Sequence, residues 1–240
     1  MSFITHQMIN ELEEKDTGCA TQPAQELMNS LHAAVEHNNQ GIDYLEQGLH
    51  EMSLHEFKRA AQMLHITTQY LKENHGNLKG FPTKPSYIQA RKSIPTNNDF
   101  IRSTPLRLGN SDGTIISCTI ESATVLLNMA LCCHLNSVGT CSISDAMSNA
   151  VALYEMSYTL AMKCSYDHRS HPIILISLNN LGQLAHEVGE FEISTRYLEE
   201  LSSKVVRFRE GGELSCIENP QEFLLNALVL RNVYHAAGAA

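Results

Sequence analysis

Three asparagines, Asn39, Asn128 and Asn180, each stand two residues before a small residue, Gly41, Ala130 and Gly182. A carboxamide both donates and accepts hydrogen bonds. A row of them could therefore grip the backbone of an extended peptide whatever its side chains. That chemistry requires the three to stand in one line, which depends on the elements that carry them. The plainer alternative is that they cap contacts between elements or face water. His134 and His186 each lie six residues beyond one of these asparagines. Paired imidazoles can bind a metal or sense pH, although ordinary polar groove residues are the commoner case. Asn179 and Gln183 flank Asn180 and complete the candidate partner-binding set.

Other reactive residues are less organised. His50-Glu51 with His55 resembles a zincin run, but the second histidine comes one residue late. Five helical steps set the two rings about 140° apart around a helix. Cys164, Asp167, His168 and His171 form a loose cluster whose spacing fits no zinc module. There is no G-x-G-x-x-G, phosphate-loop lysine, G-x-S-x-G elbow or H-E-x-x-H. The expectation is a protein without catalysis, metal or cofactor.

Composition narrows the class further. The 240 residues are 43% hydrophobic and 18% charged, which argues against wholesale disorder. A net charge of −9 argues against nucleic acid, since phosphate binding needs a basic surface. The seven cysteines include no C-x-x-C pair and read as reduced thiols. No apolar run stands out as approaching the roughly 20 residues of a membrane span, and the start lacks the pattern of a secretory signal. A cytoplasmic or nuclear protein is expected.

The elements that must position the asparagines are helices. Residues 1–22 read as a flexible polar tail, and 23–240 as one helical domain. Leu27, Leu31, Ala34, Val35, Ile42 and Leu45 recur at helical spacing up to Gly48, and Met52, Leu54, Phe57, Ala60, Leu64 and Leu71 form a second helix. The pattern returns later. Ile173, Leu178, Leu181, Leu184 and Val188 precede a Gly189-Glu190 break, and Phe191, Ile193, Tyr197, Leu198 and Leu201 follow it. Gly41, Tyr44 and Gly48 are spaced as Gly182, Ala185 and Gly189 are, so an internal repeat is expected.

These residues resemble the tetratricopeptide repeat (TPR), a helix pair of about 34 residues with small and aromatic residues at fixed offsets. Gly41, Tyr44, Gly48, Phe57 and Ala60 match its signature types, with Ser53 in place of the usual alanine. Gly182, Gly189, Phe191 and Ser194 match in the later copy, while Ala185, Leu198 and Leu201 depart from it. The His-Pro start and SLNNLG are most similar to the longer-helix repeats of kinesin light chains. A degenerate middle copy runs from Leu126 through Ala130 and Cys133 to Ala150, Tyr154 and Ala161.

The resemblance implies an all-α, right-handed solenoid of about three hairpins, closed by an apolar helix from about Pro220. It also implies that the asparagines line a concave face that holds a partner's peptide. Leu45, Leu127, Leu131 and Ile176 suggest a neutral or apolar peptide. The alternative is a structural subunit buried in a larger assembly. On the groove reading, replacing the three asparagines by alanine weakens partner binding without lowering the melting temperature.

Between the first two copies lies a 44-residue insert, 74–117, holding four of the seven prolines. Lys79, Lys84, Arg91, Lys92, Arg102 and Arg107 face only Asp99 and Asp112 in charge balance. It either folds back on the acidic helical body or binds an acidic partner. FIRSTPLRL, GNSDG and TIISCTI read as a β-hairpin turning at Asn110 to Gly113.

Overall fold

The computed structural model describes residues 24–73, 87–91, 93–94, 101–137, 143–212 and 220–237, so the tail read over 1–22 lies outside the described residues. Among the described residues there are seven helices: α1 Ala24–Glu46, α2 His50–Glu73, α3 Ile115–Ser137, α4 Ile143–Lys163, α5 Ser170–Glu187, α6 Phe191–Glu210 and α7 Pro220–Ala237. Two three-residue strands, β1 Ile88–Ala90 and β2 Leu106–Leu108, lie between α2 and α3. The chain is mostly helical. Each helix packs on the next in sequence, and α1, α3, α5 and α7 also touch one another in order.

The α1–α2 and α5–α6 pairs are built alike, bond for bond. Gly48 and Gly189 end their first helices with positive φ, 73° and 81°, a conformation that glycine adopts without a Cβ penalty. Leu49 N–H then reaches back to Tyr44 C=O at 2.9 Å, and Glu190 N–H to Ala185 C=O at 2.8 Å. These bonds satisfy carbonyls that the helix end leaves unpaired. Ser53 Oγ donates to Gly41 C=O, and Ser194 Oγ to Gly182 C=O, both at 2.8 Å. Each serine thus pins one helix to the other.

The small residues are required by close approach. A Cβ on Gly41 would lie 2.6 Å from Phe57 Cε1, and one on Gly182 would lie 2.8 Å from Leu198 Cδ2. The first helices can therefore sit tight against their partners.

Helix α3 is touched by α1, α2, α4, α5 and β2. Its apolar character follows from that position, since a helix covered on all sides needs no polar face. By length and composition α3 is apolar enough to cross a membrane, which corrects the sequence reading. However, 78% of its apolar window is buried inside the protein.

The β-hairpin turning at Asn110 to Gly113 does not form. β2 falls in FIRSTPLRL as read, but its antiparallel partner is β1, with Gln89 opposite Arg107. TIISCTI is instead the first turns of α3. Thr114 caps them: its Oγ1 accepts from Ser117 N–H at 3.2 Å, while Asp112 Oδ1 accepts from Thr114 N–H and Oγ1 at 3.0 and 2.8 Å. The β-branched run imitates a strand, but the cap decides for helix. The insert therefore ends at 114 rather than 117.

Because space at Gly41 and Gly182 is already filled, Gly41→Val and Gly182→Val are expected to destabilise the fold by about 1–3 kcal/mol each. Urea unfolding followed by circular dichroism measures this, and an unchanged midpoint would contradict the close-packed interface.

Candidate functional site

The asparagines stand on α1, α3 and α5, the helices that touch in order, and one strand runs across them. Asn39 Nδ2 donates to Leu108 C=O at 2.8 Å while its Oδ1 accepts from Leu108 N–H at 3.0 Å. Asn128 does the same to Leu106, at 2.9 and 3.0 Å. Asn180 does the same to Arg102, at 3.2 and 2.9 Å. Each carboxamide thus pairs with both polar groups of a single backbone residue.

Strand geometry explains the spacing. The N–H and C=O groups of alternate extended residues leave by the same edge, so Leu106 and Leu108 of β2 present theirs together. Arg102 lies before the strand, inside a tight turn in which Ser103 N–H donates to Ile101 C=O at 3.0 Å.

The opposite edge of the strand pairs with the β1 segment: Gly109 N–H to Tyr87 C=O, Arg91 N–H to Pro105 C=O and Ile94 N–H to Ser103 C=O, at 2.9 to 3.0 Å. Pro105, which has no N–H, uses only its carbonyl there. The asparagine row therefore stands where a neighbouring strand would stand. Between these two borders Leu106 and Leu108 are buried in the hydrophobic core, at 0% and 3% exposure.

The row is held by further amides. Asn38 Oδ1 accepts from Asn128 Nδ2 at 2.9 Å, and Asn38 Nδ2 reaches Leu106 C=O at 3.3 Å. Asn179 Nδ2 donates to Asn180 Oδ1 at 3.1 Å, and Asn226 on α7 donates to Asn179 Oδ1 at 3.0 Å. Asn180 Nδ2 also donates to Tyr154 Oη at 3.0 Å. Asn38, Asn226 and Tyr154 are not among the site candidates that the sequence offers. An asparagine set among the leucines of α7 was the available signal for Asn226.

The insert is tied down by charge as well. Arg107 pairs with Asp43 on α1, and Arg102 with Glu222 on α7 while lying 5.1 Å over the Phe223 ring. Arg91 pairs with Glu46 at 3.2 Å. Its described arginines thus meet carboxylates of the chain's own helices. Lys79, Lys84, Lys92 and Asp99 lie outside the described residues.

Most of the other sequence candidates stand apart from the strand, but His168 lines a small cavity with Leu106, Tyr87 and Ile88. His134 is buried (1% exposure), with Nδ1 3.4 Å from Tyr154 Oη and Nε2 3.9 Å from Glu187 Oε2. His186 packs edge-on against Phe191, and Gln183 Nε2 donates to Glu187 at 2.9 Å. His171 stacks on Phe208 at 3.9 Å, and Asp167 is engaged by Arg169 at 2.6 Å. Among the described residues no group of three or more His, Cys, Asp or Glu is placed to hold a metal ion. Cys132 and Cys133 are free thiols, pushed up by burial to about 12 and about 11. Such thiols carry little thiolate near neutrality. Cys19, Cys141 and Cys216 lie outside the described residues.

No protein-family model matches this chain, and neither do the sequences of characterised proteins or the solved structures.

Two outcomes follow. Asn128→Ala leaves buried Leu106 N–H and Asn38 Oδ1 unpaired, at about 1–3 kcal/mol for each group, while Leu106 C=O keeps its bond from Asn38 Nδ2. It should therefore lower stability by at least about 2 kcal/mol in urea unfolding, contrary to the sequence expectation of an unchanged melting temperature. Half-buried Asn39→Ala should cost less.

The second concerns His134, whose pKa burial lowers to about 4. The unfolded imidazole takes its proton near 6.5, so the unfolded state binds more protons between these values. The contribution is fully present above about pH 6.5 and is lost as pH falls toward 4, up to about 3 kcal/mol. His134→Gln should flatten that part of the stability–pH curve, and an unchanged curve would refute the assignment.

Proposed function

We propose that the chain is a protein–protein interaction scaffold: a right-handed TPR-like α-solenoid of three hairpins and a terminal helix. Its concave face holds an extended peptide segment of a partner, and it carries out no catalysis. The observation that carries this reading is the row of three carboxamides, each paired with the N–H and C=O of one residue of the segment 102–108. Such a grip reads backbone rather than side chain. The repeated glycine turns and serine pins of α1–α2 and α5–α6 support the repeat assignment. The groove is taken by the chain's own residues 101–108, so a partner segment enters by displacing them.

A second reading, a structural subunit of a larger assembly, is favoured by Leu225 and Leu228. Both are exposed one turn apart on α7. A library of nine-residue peptides presented to the full chain separates the two. A groove reader selects linear segments, and Asn39→Ala weakens them by about tenfold, the equivalent of one good hydrogen-bonded pair. Failure to select any segment, with co-purification of a folded partner instead, would overturn the scaffold reading in favour of the assembly.

A further inference from the structure

The groove has ends as well as a floor, and both ends are acidic. Asp43 stands on α1 beside Asn39, and Glu222 stands on α7 beyond Asn180. Each receives an arginine of the resident strand, Arg107 at one end and Arg102 at the other. Along β2 the side chains alternate: Leu106 and Leu108 enter the core while Arg107 stays half-buried at the rim, and Ser103, Thr104 and Pro105 before it are all buried. At the Arg102 end the guanidinium also lies over Phe223, a ring that is itself buried. A cation over an aromatic face is attracted by the ring quadrupole. A neutral segment would leave both carboxylates without their cations.

We propose that the groove selects an extended segment of a partner protein carrying two basic residues five positions apart, with leucine-like residues on either side of the second. Asp43 and Glu222, with Phe223, are the specificity determinants. Residues 101–108 are the resident copy of that ligand. This rests on the scaffold reading and replaces its neutral or apolar peptide by a dibasic, aliphatic one. The asparagine row supplies sequence-independent hold, and the acidic ends supply discrimination. A competitor must overcome the local concentration of the tethered resident, of millimolar order for a short flexible linker. Weakening the resident's own ion pairs should therefore expose the preference.

The probe is a fluorescent synthetic peptide of residues 101–109, IRSTPLRLG, and a version with both arginines replaced by glutamine. Both are titrated against the full chain and against full-length Arg102→Ala/Arg107→Ala, whose helical content is checked by circular dichroism. That variant changes partly exposed side chains only and leaves the groove intact. The expected result is tighter binding to the variant than to the unaltered chain, with the dibasic peptide preferred by about tenfold, as two partly exposed ion pairs allow. Adding Asp43→Asn and Glu222→Gln to the variant should abolish that preference. Equal binding of the two peptides would overturn the charge selection while leaving the groove as a peptide holder. Binding of neither peptide would overturn the peptide-holding reading itself, and this inference with it.

Discussion

The structure depends on an exchange of hydrogen bonds between side-chain amides and a strand. An extended chain laid across helices meets no backbone partners, because helices have spent their N–H and C=O groups internally. Buried strand groups left unpaired would cost about 1–3 kcal/mol each. The three asparagines remove that cost at residues 102, 106 and 108 by offering, from helical positions, the donor and acceptor that a second strand would offer. β1 serves the other edge. A three-residue strand with little sheet of its own can therefore sit in the core.

This constraint accounts for the composition of the neighbouring helices. With the strand covering one side and outer helices the other, α3 and α5 have almost no solvent face, and nearly every described residue of α5 from Ser170 to Ala185 is buried. Their polar residues are consequently the ones with work inside: Asn128, Asn179, Asn180 and the histidines. Arg169 adds a fixed point where α5 begins, bonding Asp167 at 2.6 Å and Ser117 of α3 at 2.9 Å. It holds two first helices in the relative position that lines their asparagines up.

Local patterning carried much of this. The periodic leucines marked the helices. The Gly41/Gly182 and Gly48/Gly189 pairs marked tight packing and helix ends, and Asn39, Asn128 and Asn180 stood out as a set by their shared spacing from a small residue. What could not be read was the identity of the strand they hold. No periodicity connects Leu106 to Asn128 or Arg102 to Asn180, since a backbone-directed grip leaves no side-chain signature in its ligand. The Asn110 to Gly113 hairpin failed for a related reason. Ile115, Ile116 and Thr119 look like strand by residue type, but they are half-buried and follow the Thr114 cap, which starts a helix there. The insert's positive charge was legible, but its destination on Asp43, Glu46 and Glu222 was not.

The central claim is that the backbone of residues 102, 106 and 108 is paired with the asparagine row. Amide hydrogen exchange of the full chain, resolved at single residues, addresses it most directly. The account predicts that the Arg102, Leu106 and Leu108 amides exchange as slowly as those in the middle of α3 and α5. Exchange of these three amides at the rate of an open, solvated chain would contradict it.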